Sequence, residues 1–125
     1  EDLTRHQMDS EYYSVPDKTA NIINKAKANR RKVFAVGTST VRTLETITTS
    51  GFEITKTQGW TDKFIYPPYD FKMVDNIVTN FHQPKSTLMM MIAAFTKKDF
   101  LLKAYKEAIE KKYRFYSYGD AMLVI

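Results

Sequence analysis

Residues 79–88 (Thr-Asn-Phe-His-Gln-Pro-Lys-Ser-Thr-Leu) lie where an apolar extended run ends and a helix begins. Upstream, residues 74–81 carry the β-branched and aromatic side chains typical of a strand. Downstream, residues 88–95 are almost wholly apolar and follow Ser86 and Thr87, hydroxyl residues of the type that cap helices. The sequence therefore predicts a strand, a polar turn and a helix in direct succession.

A second turn of the same kind occurs earlier in the chain. Residues 33–36 form a continuous apolar run, which predicts a strand covered on both faces. Gly37 then leads through hydroxyl residues into a helix. Right-handed crossovers would bring both turns to the same edge of a sheet, where ligands bind in α/β proteins.

The remaining patterns complete an α/β domain. Pro16 and Asp17 suit the first turn of a helix. Residues 99–112 have the apolar spacing of another helix, and residues 121–125 resemble a final strand. A short strand is also expected at residues 64–66. We therefore predict a single α/β domain fragment over residues 1–125, with a parallel or mixed sheet and flanking helices.

Composition narrows the function classes. The chain has 125 residues, no cysteine, two histidines and a net charge of +5. Disulfides and cysteine-ligated metals are excluded, and a metal-dependent hydrolase is poorly supported. No apolar run approaches the roughly 20 residues that span a bilayer, so we expect a cytoplasmic protein without a membrane segment. The positive charge permits an RNA partner, although each basic cluster also fits a solvated helix face.

The two helix starts are candidate anion sites. Free backbone N–H groups and the helix dipole favour a carboxylate or phosphate there, and Lys85 and Arg42 add positive charge. The alternative is that the hydroxyl residues only cap the helices and that Arg42 pairs with Glu45. Tyr66 lies in an aromatic turn that could stack on a nucleobase or belong to the local core.

Several blocks together carry a family resemblance. They are residues 36–45 (Val-Gly-Thr-Ser-Thr-Val-Arg-Thr-Leu-Glu), 64–67 (Phe-Ile-Tyr-Pro), 74–75 (Val-Asp), 79–82 with 84–88 (Thr-Asn-Phe-His, then Pro-Lys-Ser-Thr-Leu), and 113–115 with 117–122 (Tyr-Arg-Phe, then Ser-Tyr-Gly-Asp-Ala-Met). In this order and spacing the chain resembles the C-terminal part of the S-adenosylmethionine:tRNA ribosyltransferase-isomerase family of queuosine biosynthesis. The resemblance implies a larger two-domain enzyme, in which a β-barrel domain is inserted into the α/β domain.

The resemblance also implies a reaction and its partners. The ribosyl moiety of S-adenosylmethionine, a co-substrate, is transferred to 7-aminomethyl-7-deazaguanine at the wobble position of the tRNA anticodon. It is isomerised there to epoxyqueuosine, with release of adenine and methionine. No metal is implied, and we expect a monomer.

Such chemistry needs a base that removes a proton beside the sulfonium, a group that holds the methionine carboxylate, and a positively charged surface for tRNA. The acid/base candidates, in no order, are His6, Glu11, Asp75 and His82. The anion-binding candidates are Arg42, Lys85, Ser86 and Thr87, and Thr38 and Ser39 are further candidates for substrate binding. Candidates to line the pockets for the nucleobases are Tyr66, Tyr118 and Asp120.

The chain departs from the family pattern at three positions. Asp9 stands where a histidine is usual, Pro68 where glycine is usual, and Gln83 where leucine is usual. These departures keep open an alternative function, a paralogous nucleotide- or RNA-binding module with altered substrate or no catalysis.

Overall fold

The computed structural model describes residues 8–55, 57–83 and 86–125. None of the helices in these ranges is long and apolar enough to cross a membrane. The elements in chain order are β1 (Glu11–Ser14), α1 (Asp17–Ala28), β2 (Phe34–Val36), α2 (Thr38–Ile47), β3 (Gln58–Thr61), β4 (Asn76–Asn80), α3 (Thr87–Phe95), α4 (Lys98–Glu110) and β5 (Ala121–Val124).

The larger sheet is mixed and has the order β2-β4-β5. β2 runs parallel to β4, with Ala35 opposite Ile77, and β4 runs antiparallel to β5, with Val78 opposite Leu123. β1 and β3 form a separate antiparallel pair. The predicted α/β class with a mixed sheet and flanking helices is therefore confirmed.

Only one face of the larger sheet is covered by the described chain. Ala35 and Ile77 point to the helices and are buried in the main core. Their neighbours on the other face remain open, with Phe34 49%, Val36 70% and Leu123 52% exposed. The prediction that residues 33–36 are covered on both faces is therefore wrong for this part of the chain. The apolar run alternates between a buried and an open face, as any strand does.

The predicted strand at residues 64–66 is also wrong. The strand of this region is β3, which lies in the polar stretch before residue 64. It forms there because its backbone pairs with β1 from Glu11 to Ser14. This pairing continues where Val15 N donates to Thr57 O at 2.6 Å. Tertiary pairing has overridden local preference here.

The buried carboxylate of Glu45 fixes the loop that leads into β4. It is 1% exposed and accepts hydrogen bonds from the Tyr69 hydroxyl and three backbone N–H groups. Burial, and then the Glu45 charge, raise the pKa of Tyr69. Phe71 stacks on Phe95 at 4.0 Å between ring centroids. Tyr69 and Phe71 therefore belong to the local core.

Candidate functional site

The two strand-to-helix turns meet at the carboxyl edge of β2 and β4. Gly37 N donates to Val78 O at 2.8 Å, which joins the end of one strand to the other. Gly37 has a φ of 98°, a conformation that favours glycine. The turns enclose a cavity of about 620 Å³. Its polar wall is formed by Thr38, Ser39, Thr40, Thr79, Asn80, His82, Tyr116 and Ser117.

A second cavity of about 470 Å³ adjoins the first. The two share Thr38, Ser39 and Leu88 in their walls. The other residues that line the second cavity are Met8, Asp9, Glu11, Arg42 and Thr87. The structure thus brings together six of the predicted site residues, namely Glu11, Thr38, Ser39, Arg42, His82 and Thr87.

Arg42 is 3% exposed, and its guanidinium bonds to its own chain. Nη1 contacts the Glu11 carboxylate, Nε donates to Lys63 O at 3.0 Å, and Nη2 donates to Asp9 O at 2.9 Å and Thr61 O at 3.3 Å. These bonds use all three nitrogens. The geometry therefore does not support the predicted role of Arg42 in binding a ligand carboxylate. Nor is Glu45, the alternative partner, the group that Arg42 contacts.

Glu11 is the side chain that this arrangement positions. One carboxylate oxygen contacts Arg42, and the other accepts a hydrogen bond from Ser39 Oγ at 3.0 Å. The side chain is nevertheless 45% exposed, at the wall of the second cavity. Because a buried guanidinium holds it from behind, this carboxylate faces the cavity in one defined orientation.

His82 lies at the end of β4 and is half-buried. Its Nε2 lies 2.8 Å from Thr79 Oγ1, and its backbone N donates to the Tyr105 hydroxyl at 2.9 Å. Burial lowers the pKa of His82 from its ordinary value, so the neutral imidazole is favoured. When Nε2 carries the proton and donates to Thr79, the Nδ1 lone pair remains available as a base.

The two helix starts differ in how they are capped. Ser86 Oγ accepts from Met89 N at 3.2 Å and donates to Gln83 O at 2.7 Å, so α3 is capped by its own chain. α2 follows Gly37, which has no side chain to provide a cap. Of the two predicted anion sites, the start of α2 is the more open.

Three predicted residues lie elsewhere. Asp75 accepts from Val33 N at 2.7 Å at the amino end of β4. A strand of five residues separates it from His82, about 15 Å or more away. Tyr66 packs on Phe64 at 4.8 Å between ring centroids and is absent from the walls of both cavities. Asp120 instead binds Arg114, accepting from its backbone N at 2.7 Å.

The loop after α4 contributes residues that sequence reasoning missed. Tyr116 and Ser117 line the larger cavity, whereas the predicted Tyr118 is 98% exposed beside it. Thr79, which bonds to His82, was also missed. The contact could not be predicted from the sequence, because Thr79 lies in the strand three positions before His82 and the two meet only when the turn after β4 is folded.

Two predicted residues, His6 and Lys85, lie outside the described residues. Within the described ranges, no group of three or more histidine, aspartate or glutamate side chains could hold a metal ion.

Comparison with known proteins gives one consistent family. The family model described as "Queuosine biosynthesis protein" matches residues 1–124. A protein from Sulfurihydrogenibium sp. named S-adenosylmethionine:tRNA ribosyltransferase-isomerase is 54% identical, over 100% of this chain and 36% of its own length. A protein of the same name from Staphylococcus epidermidis is 50% identical, over 100% of this chain and 37% of its own length.

The fold also matches a solved structure. The S-adenosylmethionine tRNA ribosyltransferase from Thermotoga maritima superposes with a TM-score of 0.80 at 48% identity. The match covers 91% of this chain and 40% of that protein. This chain thus spans less than two-fifths of the length of the two curated relatives described above.

Proposed function

This chain belongs to the queuosine biosynthesis protein family, and on that premise we propose that it forms the C-terminal part of the α/β domain of an S-adenosylmethionine:tRNA ribosyltransferase-isomerase. The enzyme acts as a cytoplasmic monomer without a metal. It transfers the ribosyl moiety of S-adenosylmethionine to 7-aminomethyl-7-deazaguanine at the wobble position of the tRNA anticodon. Isomerisation then gives epoxyqueuosine, and adenine and methionine leave.

One observation carries this proposal. Glu11 and His82 line two adjoining cavities that share Thr38 and Ser39, at the carboxyl edge of the sheet. This edge is where α/β proteins bind ligands. The chain that builds it is about half identical to relatives named for this reaction.

Glu11 supplies a fixed negative charge for the sulfonium of S-adenosylmethionine. Two opposite charges about 4 Å apart attract by about 4 kcal/mol near a protein surface. The contacts with Arg42 and Ser39 hold the carboxylate and leave its side toward the cavity open to a ligand. The sulfonium is thereby oriented, and the protons beside it become accessible to a base.

His82 is the base that best fits the geometry. Its lowered pKa keeps the imidazole neutral at pH 7, and a proton on Nε2 leaves Nδ1 free to accept another. Asp75, at the far edge of the sheet, fits this role less well. The open start of α2 is the proposed site for the methionine carboxylate, where backbone N–H groups favour an anion.

The test uses a full-length enzyme that carries this stretch. It is incubated with S-adenosylmethionine and tRNA bearing 7-aminomethyl-7-deazaguanine, and adenine and the modified nucleoside are measured by mass spectrometry. We expect both products from the wild type and a loss of both in His82→Asn. Lys18→Ala, on the exposed side of α1, is the control and should be fully active.

Two results would contradict the proposal. Absence of adenine and epoxyqueuosine with the wild type rejects the reaction. Tight binding of S-adenosylmethionine and tRNA without product would instead favour the binding module, with Asp9 and Pro68 as the first positions to revert.

A further inference from the structure

The loop after α4 displays a tyrosine that the described part of the chain leaves almost fully exposed. Tyr118 is 98% exposed, and the neighbouring Tyr116 is 55% exposed. A single exposed ring is ordinary on a protein surface, but this one combines a rigid support with a position beside the candidate site.

Backbone and side-chain hydrogen bonds hold this loop in one conformation. Tyr116 N donates to Phe81 O, and Gly119 N donates back to Tyr116 O, both at 2.9 Å. Asn80 Nδ2 donates to the carbonyls of Gly119 and Asp120 at 3.3 Å. A Cβ on Gly119 would lie 2.6 Å from the Arg114 carbonyl oxygen, so the turn is too tight for any other residue. The ring of Tyr118 is therefore carried on a rigid support.

The loop also lies beside the candidate site. Tyr116 lines the same cavity as Thr38 and His82. Two residues of extended chain span at most about 7 Å, so Tyr118 is close to the rim of that cavity.

The surrounding charge is positive. Residues 97–114 contain seven basic and three acidic residues, a net +4 of the +5 carried by the whole chain. Lys111, Lys112 and Arg114 are exposed between α4 and the loop. Lys111 pairs with Glu107 and Arg114 with Asp120 in ion pairs at the surface, so the excess positive charge comes from the other basic residues of this segment. A rigid exposed ring next to surplus positive charge has the chemistry that recognises unpaired bases of RNA.

The geometry points to Tyr118 as a stacking platform for an unpaired base of the anticodon loop, next to the nucleotide that enters the cavity. This inference rests on the proposed function, because it assumes that tRNA is the substrate. Stacking on an aromatic ring tolerates any base, so Tyr118 contributes affinity and orientation.

The experiment measures binding of an anticodon stem-loop RNA to the full-length enzyme by fluorescence anisotropy. Stacking of one base predicts that Tyr118→Ala weakens RNA binding about 5- to 150-fold. Tyr118→Phe keeps the ring and should bind like the wild type. Phe52→Ala removes a ring that is 53% exposed just beyond the far end of α2, and it should have no effect. The Kd for S-adenosylmethionine should be unchanged in all three variants.

An RNA with one flanking nucleotide made abasic tests the contact from the other side. Its Kd for the wild-type protein should equal the Kd of the intact RNA for Tyr118→Ala. For Tyr118→Ala, the abasic and the intact RNA should have the same Kd. Equal RNA affinity of Tyr118→Ala and wild type, or a lower unfolding temperature without loss of affinity, overturns the inference alone. A wild type that binds no tRNA overturns the proposed function as well.

Discussion

Arg42 has the chemistry to bind a ligand carboxylate, but the structure gives its guanidinium other partners. Its planar fork suits a ligand carboxylate, but the carboxylate that it contacts is Glu11 of its own chain, 31 positions away. Backbone carbonyls bind its other nitrogens. We therefore expect Arg42 to act on the reaction only through Glu11.

A double-mutant cycle separates this positioning role from ligand binding. Arg42→Lys keeps the charge but loses the fork, and it should lower kcat about 10- to 100-fold because Glu11 is misplaced. In a Glu11→Gln background, which has already lost the charge that faces the sulfonium, the same change should alter neither kcat nor the Kd for S-adenosylmethionine any further. A weaker Kd in both backgrounds would instead assign Arg42 to the ligand. Circular dichroism checks that each variant is folded.

Glu45 makes a prediction about stability. Glu45→Gln replaces an acceptor oxygen with an NH2 group that faces N–H donors of residues 72–74. Leaving buried donors unpaired costs about 1–3 kcal/mol, so we expect the free energy of unfolding to fall by about 2 kcal/mol or more. Urea unfolding measures this loss. The exposed Glu53→Gln is the matched control and should change the free energy by less than about 0.5 kcal/mol.

At the scale of elements, variants of Ser86 test whether the start of α3 is only capped by its own chain or also binds an anion. Ser86→Ala removes the bond to Met89 N and should destabilise the protein by about 1 kcal/mol. Ser86→Asp can still cap the helix and should retain most of the stability. The Kd for S-adenosylmethionine should not change in either variant. Unchanged stability together with weakened binding would favour the anion site.

His82, which follows β4, should make the stability of the protein depend on pH. Burial lowers the pKa of His82 from 6.5 in the folded state, so the unfolded chain binds more protons as the pH falls. The contribution of neutral His82 to stability is therefore present above about pH 6.5 and is lost as the pH falls below it. Unfolding from pH 7 to pH 5 should show this loss, and His82→Asn should reduce it. An NMR titration midpoint of His82 above 6.5 would contradict the argument.

At the scale of the whole molecule, the open sheet face predicts a contact. Phe34 and Val36 of β2 and Leu123 of β5 expose apolar surface on one face of the sheet, with Val78 of β4 between Val36 and Leu123. Contiguous apolar patches of this kind are normally covered. The curated relatives are more than twice as long as this chain. We therefore expect further chain of a full-length enzyme to pack on this face.

Cysteine labelling measures that contact once any cysteine in the rest of the full-length enzyme has been replaced by serine, because this chain contributes none. Val36→Cys and Leu123→Cys should react slowly with a maleimide in the folded full-length enzyme and rapidly after denaturation. Lys18→Cys, on exposed α1, should react rapidly in both states. Rapid labelling at all three positions would show that the face stays open.

The strand–turn–helix units around Gly37 and Ser86, the α/β class and the shared edge of the two turns could all be predicted from residue order. Apolar spacing, caps and glycine act between near neighbours, and the handedness of crossovers supplies the rest. The pairing of β1 with β3, the contact of Arg42 with Glu11 and the separation of Asp75 from His82 could not be predicted in this way. Each depends on which distant segments meet once the core is packed, and no local pattern carries that information.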